Sequence, residues 1–294
     1  MTSGTRRAAA ICALAAVLLS PPASALGSPV APTVTAPQAI LLQPQTGDVL
    51  LRKSPDAEVP VASTTKLMTA LLVLERASLN DVYTAVPYEA QEAESRINLK
   101  AGERMSVRDL MRALLLESAN DAAATLAVGV SGSQSAFVAE MNARARQLGL
   151  RHTAYANPIG LDEPGNYSTA RDLVKISNRL RRNPFFRRTV SLRSTRLTTG
   201  AHEREIENTN DLVGQPPGVN GVKTGHTQAA GYILVGSATR GRVNVLSAVL
   251  GDPSKAARDA DTAALLSYGL SLYREVPLVL PNRVVARAKV KYRD

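Results

Sequence analysis

The pattern of apolar residues predicts an α/β protein of the α+β type. An antiparallel sheet is flanked by helices, with a helical insertion between its early and late strands. Three observations carry this. Short alternating segments open the chain and return after residue 219. The stretch between them repeats with helical period. Strand and helix do not alternate as they would in parallel βαβ units.

Ala39 to Leu42 and Val49 to Arg52, separated by Gln45-Thr46-Gly47-Asp48, predict a hairpin. Ser63 to Ala77 carries Leu67, Leu71, Leu72 and Leu74 on one helical face. Ser106 to Leu116 repeats the pattern with Leu110, Ala113 and Leu114. Asn120 to Val128, Gln134 to Leu148 and Thr169 to Leu180 predict further helices. Val219 to Thr224, Tyr232 to Ser237 and Val243 to Leu250 predict three strands joined by glycine-containing turns, and Ser254 to Tyr273 a last helix. The expected organisation is a signal peptide over 1–25, a Pro/Ala/Thr/Ser-rich linker over 26–37, a catalytic domain over 38–275, and a basic strand-like tail over 276–294.

The signal reading rests on Arg6-Arg7, the apolar run Ala8 to Leu19, and an A-x-A site ending at Ala25. An uncleaved anchor is the competing reading, and the run is short for spanning a bilayer. Cleavage removes Cys12, the chain's one cysteine, and leaves 33 basic against 25 acidic residues, about +8. The whole chain carries +10 over 294 residues. That charge suits an anionic envelope or nucleic acid. With 4% aromatics and no Trp, no base-stacking platform is available, so no nucleic-acid partner is expected. His152, His202 and His226 are far apart in sequence and in no ligand spacing, so no metal site is expected. Val285 to Arg293 alternates with a basic face, and no amphipathic anchor helix is evident at that end.

Three short groups carry chemistry. Ser63-Thr64-Thr65-Lys66 opens the first strong helix, where residues i and i+3 share a face. A lysine one turn from a serine takes its proton if the amine is neutral, which requires burial or a second cation. The other reading is an N-cap serine beside a surface lysine. Ser118-Ala119-Asn120 stands at a break between helices and offers a proton relay and an amide, or an ordinary helix cap. A second S-x-N, Ser78-Leu79-Asn80, falls past the far end of the nucleophile helix and is set aside. Lys223-Thr224-Gly225-His226-Thr227 ends a predicted strand, where a cation, hydroxyls and a bare backbone dock an extended peptide and its carboxylate. It also reads as a turn with a solvated lysine.

In the order S-x-x-K, S-x-N, K-T-G these groups match the penicillin-recognising serine enzymes. The chain resembles the low-molecular-weight penicillin-binding proteins, specifically serine-type D-Ala-D-Ala carboxypeptidases. The resemblance runs from about Ala39 to Tyr273 and includes the segments Asn157-Pro158-Ile159-Gly160-Leu161, Ser168 to Leu173 and Ala230-Gly231-Tyr232. It implies a β-lactamase/DD-peptidase-like fold. It also implies that Ser63 attacks the bond between two D-alanines of a peptidoglycan stem peptide and forms an acyl-enzyme. Lys66 is then the general base, Ser118 relays a proton to the leaving D-Ala, and Asn120 positions Lys66 and the substrate amide. Lys223 and Thr224, with Thr227, bind the terminal carboxylate. The backbone N–H groups of Ser63 and His226 form the oxyanion hole, with Gly225 letting the substrate close in. β-Lactams acylate the same serine, and no cofactor is implied.

An endopeptidase on the same scaffold shares all these motifs. A non-catalytic wall-binding module would not be expected to keep Ser63, Lys66, Ser118, Asn120 and Lys223 together. A class A β-lactamase would carry S-D-N where Ala119 stands. Several relatives add a β-rich second domain and an amphipathic anchor helix; here only the basic strand is expected in that place.

Overall fold

The computed structural model describes residues 29–91, 94–216 and 218–274; the readings of 1–25 and 276–294 lie outside them. The chain opens with β1 (Gln38–Leu42) and β2 (Val49–Lys53). A 3-10 turn, Ala62–Thr65, leads into α1 (Lys66–Arg76). Next come β3 (Val82–Thr84), β4 (Arg104–Ser106), α2 (Val107–Leu115), α3 (Asn120–Ser131) and α4 (Gln134–Gln147). Then follow α5 (Ala170–Leu180), α6 (Pro184–Val190), β5 (Ser194–Leu197) and β6 (Arg204–Glu207). The late part is β7 (Val219–Thr227), β8 (Gly231–Arg240), β9 (Val243–Asp252) and α7 (Lys255–Ser271).

The main sheet has the order β2-β1-β9-β8-β7, antiparallel throughout. Its first and last strands in sequence are therefore neighbours: β9 returns beside β1. Successive side chains in a strand point to opposite faces, and here both faces are buried. Ile40, Ile233, Val235, Ala248 and Leu250 face the helical insertion. Ala39, Leu41, Leu234, Val245 and Val249 face Leu265, Leu266 and Leu270 of α7. Val34 and Ala36, before β1, are buried on this second side, where Ala36 N donates to Asp261 Oδ2 at 2.8 Å.

Every residue of α1 from Lys66 to Val73 is buried, so this helix is the axis around which the insertion packs. The two small hairpin-like sheets, β3–β4 and β5–β6, and the short helix α6 were not foreseen from sequence. Strands of three or four residues have too few positions to show alternation. Four helices begin on hydroxyl caps: Ser106, Ser133, Thr169 and Ser254 accept from the backbone N–H three residues on. The helices α1 and α3 differ, because neither has a side-chain cap.

Asp109 of α2 ties the insertion together. Its buried carboxylate accepts from Thr198 N, Thr199 N and Thr199 Oγ1 at 2.8 to 3.0 Å, and Arg112 pairs with the other oxygen at 3.0 Å. Asp109→Ala removes the buried acceptor that these donors and Arg112 share. It is expected to lower unfolding free energy by about 3 kcal/mol, with a smaller loss for Asp109→Asn, read from urea unfolding.

Candidate active site

The Ala62–Thr65 turn that carries Ser63 is held from three sides. Thr64 Oγ1 donates to Val61 O at 2.6 Å and closes the 3-10 turn, in which Ala62 sits at φ +46°. Thr69 Oγ1 donates to Pro158 O at 2.6 Å, which brings the 157–161 loop against α1. Gly160 has φ +100°, and a Cβ there would stand 2.0 Å from Ala62 O, so only glycine lets this loop reach the turn. A Cβ at Gly225 would stand 3.2 Å from Val61 O and 3.3 Å from Ser63 N. The backbone of β7 therefore lies close against the Ser63 amide.

Ser63 does not cap α1. Its Oγ instead lies 3.0 Å from Lys66 Nζ, and that amine donates to Ile159 O at 2.7 Å. This removes the reading of an N-cap serine beside a surface lysine, since Lys66 is 0% exposed. Burial, reinforced by the charge of Lys223, holds the Lys66 amine well below the ordinary lysine range, while Glu94 and Asp121 pull it upward. Lys223 is also buried and donates to Thr224 O at 3.2 Å. Burial first, and the Arg258 charge second, push its pKa down to about 7 against the pull of Glu117. Neither lysine forms an ion pair among the described residues.

The second group stands opposite. Ser118 adopts φ +66°, and its buried Oγ has no hydrogen-bond partner among the described residues. Asn120 N donates to Ser95 O at 2.8 Å, and Asn120 Nδ2 donates to Glu94 Oε2 at 2.7 Å. With Nδ2 held there, Asn120 Oδ1 is left buried and unpartnered. Tyr88 OH also donates to Glu94 Oε2. Burial works against the Glu94 charge, but the bonds from Tyr88 and Asn120 prevail and hold its pKa below the ordinary range.

A cleft of about 610 Å³ joins these parts, lined by Ser63, Glu94, Asn120, Gly160, His226 and Thr227 among others. The His226 ring stacks on Tyr232 with centroids 4.0 Å apart. Thr227 Oγ1 donates to Asp162 Oδ1 at 2.8 Å, so its hydroxyl is already engaged. Thr224 Oγ1 pairs with Thr209 Oγ1 at 2.7 Å. Thr209 and Glu117 in turn line a second groove of about 770 Å³ against β5 and β6. The discarded Ser78-Leu79-Asn80 lies outside the cleft, with Asn80 Oδ1 accepting from Arg108.

Sequence reasoning missed Tyr88, Glu94, Thr209 and Arg258. None has a fixed spacing to the motif groups; they arrive through loops and a distant helix. Among the described residues no cluster of His, Cys, Asp or Glu is arranged to hold a metal ion.

The sequence and the fold are similar to those of known proteins. A family model described as D-alanyl-D-alanine carboxypeptidase matches residues 26–254. The carboxypeptidase DacF of Bacillus subtilis is 35% identical over 271 residues, covering 87% of this chain and 67% of that protein. A D-alanyl-D-alanine endopeptidase of Pseudomonas aeruginosa is 36% identical over 260 residues, covering 85% of this chain and 82% of its own. The crystal structure of the Streptomyces K15 DD-transpeptidase superposes with a TM-score of 0.76 at 32% identity, covering 83% of this chain and all of that one. With Ser63 beside a buried Lys66 and the K-T-G strand, and the match extending over most of its length, the chain belongs to the D-alanyl-D-alanine carboxypeptidase family.

Proposed function

We propose that Ser63 is the nucleophile of a serine D-alanyl-D-alanine carboxypeptidase acting on peptidoglycan stem pentapeptides. The observation that carries this is the 3.0 Å approach of Ser63 Oγ to a fully buried Lys66 amine. A neutral amine accepts the serine proton as Oγ bonds to the carbonyl carbon of the penultimate D-Ala. The developing oxyanion lies between the N–H groups of Ser63 and His226. The C–N bond breaks as Ser118 passes a proton to the leaving D-Ala amine and takes the one that Lys66 received from Ser63, which returns Lys66 to the neutral amine. Water then attacks the acyl-enzyme, Ser63 regains its proton, and the shortened peptide leaves. Lys223, when protonated, and Thr224 bind the terminal carboxylate, and Asn120 holds the substrate amide. β-Lactams stop at the acyl stage on the same serine.

Glu94 belongs to this machinery as a positioning residue. It fixes the Asn120 amide, and its charge stabilises the protonated Lys66 formed during acylation. Residues 1–25 act as a signal peptide, which accords with a substrate outside the cytoplasmic membrane. Among the described residues no single helix is long and apolar enough to cross a membrane. The catalytic unit spans about 38–275.

The groove beside Thr209 and Glu117 supports a second reading on the same residues. It adjoins the carboxylate end of the site and is far larger than one D-Ala, as a cross-linked leaving group would need.

Three measurements test these readings. The protein, with Ser63→Ala as blank, is incubated with pentapeptide monomers and cross-linked dimers and followed by mass spectrometry. Loss of one D-Ala from monomers is expected; dimer cleavage with intact monomers would assign the endopeptidase instead. The pH dependence of penicillin acylation rises as Lys66 loses its proton. Because Glu94 raises that pKa, Glu94→Gln is expected to move the acid limb about half a unit to lower pH. An unmoved limb would remove Glu94 from the mechanism. Finally, carboxylate binding requires protonated Lys223. Pentapeptide affinity of the Ser63→Ala variant should fall roughly fivefold from pH 7 to 8, as expected for a cation of pKa about 7. A flat profile by calorimetry would rule this out.

A further inference from the structure

A second charged concavity lies at the opposite end of the main sheet. It is a pocket of about 420 Å³ lined by Arg181, Arg182, Arg187, Asn178, Asn244 and Gln45 among others. Asn244 faces Thr239 in the β8–β9 register, whereas Tyr232 of β8 pairs with His226 beside the cleft. Seven residues of strand separate the two, about 23 Å. An occupant of this pocket leaves the cleft open.

Three guanidinium groups converge here without an acid. Among the described residues no carboxylate lines the pocket and none forms an ion pair with Arg181, Arg182 or Arg187. Other arginines do hold carboxylates: Arg144 holds Glu75, Arg171 holds Asp56, and Arg204 holds Glu103. Within the cluster the bonds go to main chain. Arg181 Nη1 donates to Asn220 O at 3.4 Å, and Arg187 Nη1 to Arg181 O at 3.3 Å. Burial, then the neighbouring Arg187 charge, lowers the Arg181 pKa to about 10, so these like charges repel.

The fold holds them together all the same. Asn183 Oδ1 accepts from Phe185 N and Phe186 N at the start of α6. Phe185 and Phe186 are buried, which anchors the backbone that carries Arg187 next to Arg181 and Arg182. A convergent, backbone-anchored set of guanidinium groups binds an oxyanion at low ordering cost, and their planar forks suit phosphate oxygens.

We propose that Arg181, Arg182 and Arg187 form a binding site for the phosphate group of a phosphorylated polyol or saccharide, remote from the catalytic cleft. The amides of Asn178, Asn244 and Gln45 suit the hydroxyls flanking such a phosphate. None of the exposed large apolar side chains lines the pocket, which disfavours a lipid surface.

The test is binding of poly(glycerol phosphate) to the full chain at fixed ionic strength, by calorimetry. Arg182→Gln/Arg187→Gln is expected to weaken it about tenfold. The control Lys100→Gln/Arg104→Gln, which removes two exposed charges elsewhere, is expected to leave it within about twofold. Penicillin acylation should be unchanged in both, separating this site from the reading of Ser63. On the parent protein, inorganic phosphate should displace the polymer where chloride at equal ionic strength does not. Equal losses in both double variants, equal displacement by chloride, no binding, or binding only to phosphatidylglycerol vesicles would each overturn the proposal.

Discussion

The structure depends on keeping the Lys66 amine out of water. A charged lysine buried without a carboxylate partner costs several kcal/mol, and the group sheds its proton instead. Everything around Ser63 serves that condition. Lys66 lies on α1, which is buried on every side through Val73. Ile159 O gives the amine a neutral acceptor, and Lys223 adds a repelling charge without contact. Glu94 and Asp121 oppose the shift, so the amine sits between two influences.

That condition explains where the fold departs from its own habits. Most helices start on a hydroxyl or amide cap, yet α1 and α3 start with none. A hydroxyl used for capping is unavailable for chemistry. At Ser118 the backbone adopts a left-handed conformation, which costs on the order of 1 kcal/mol for a residue other than glycine. Its oxygen is left buried and unpartnered, and so is Asn120 Oδ1. Unsatisfied polar atoms are expensive in a structural core and useful in a cleft that receives a substrate.

Much of this was legible in the residues. The hairpin, the three late strands and the six longer helices follow from periodicity and turn residues, and all of them except the edge strand β2 bury apolar positions. The three motif groups were visible through their local spacing: a lysine one helical turn from a serine, a serine two residues before an asparagine at a helix break, and a strand end carrying Lys, Thr and Gly. The small strands and α6 were not visible, being too short for a period. Tyr88, Glu94, Thr209 and Arg258 escaped because they act across space. Glu94 is 26 residues before Asn120, and nothing in that interval marks a hydrogen bond of 2.7 Å. Thr227, expected at the substrate carboxylate, has its hydroxyl committed to Asp162.

The sequence by itself determined the class of fold, the serine–lysine helix start and the family, since these rest on local spacing and on segments that extend over most of the chain. The state of those groups depends on packing between distant segments. Whether Lys66 is a solvated cation or a buried base depends on α1 being enclosed by other elements and on Lys223 arriving from β7. The pairing of β1 with β9, the closure of Gly160 and Gly225 on the Ala62–Thr65 turn, and the gathering of three arginines without an ion pair among the described residues at the far end of the sheet were decided in the same way. Burial and long-range charge are properties of the packed chain, and residues far apart in sequence set them.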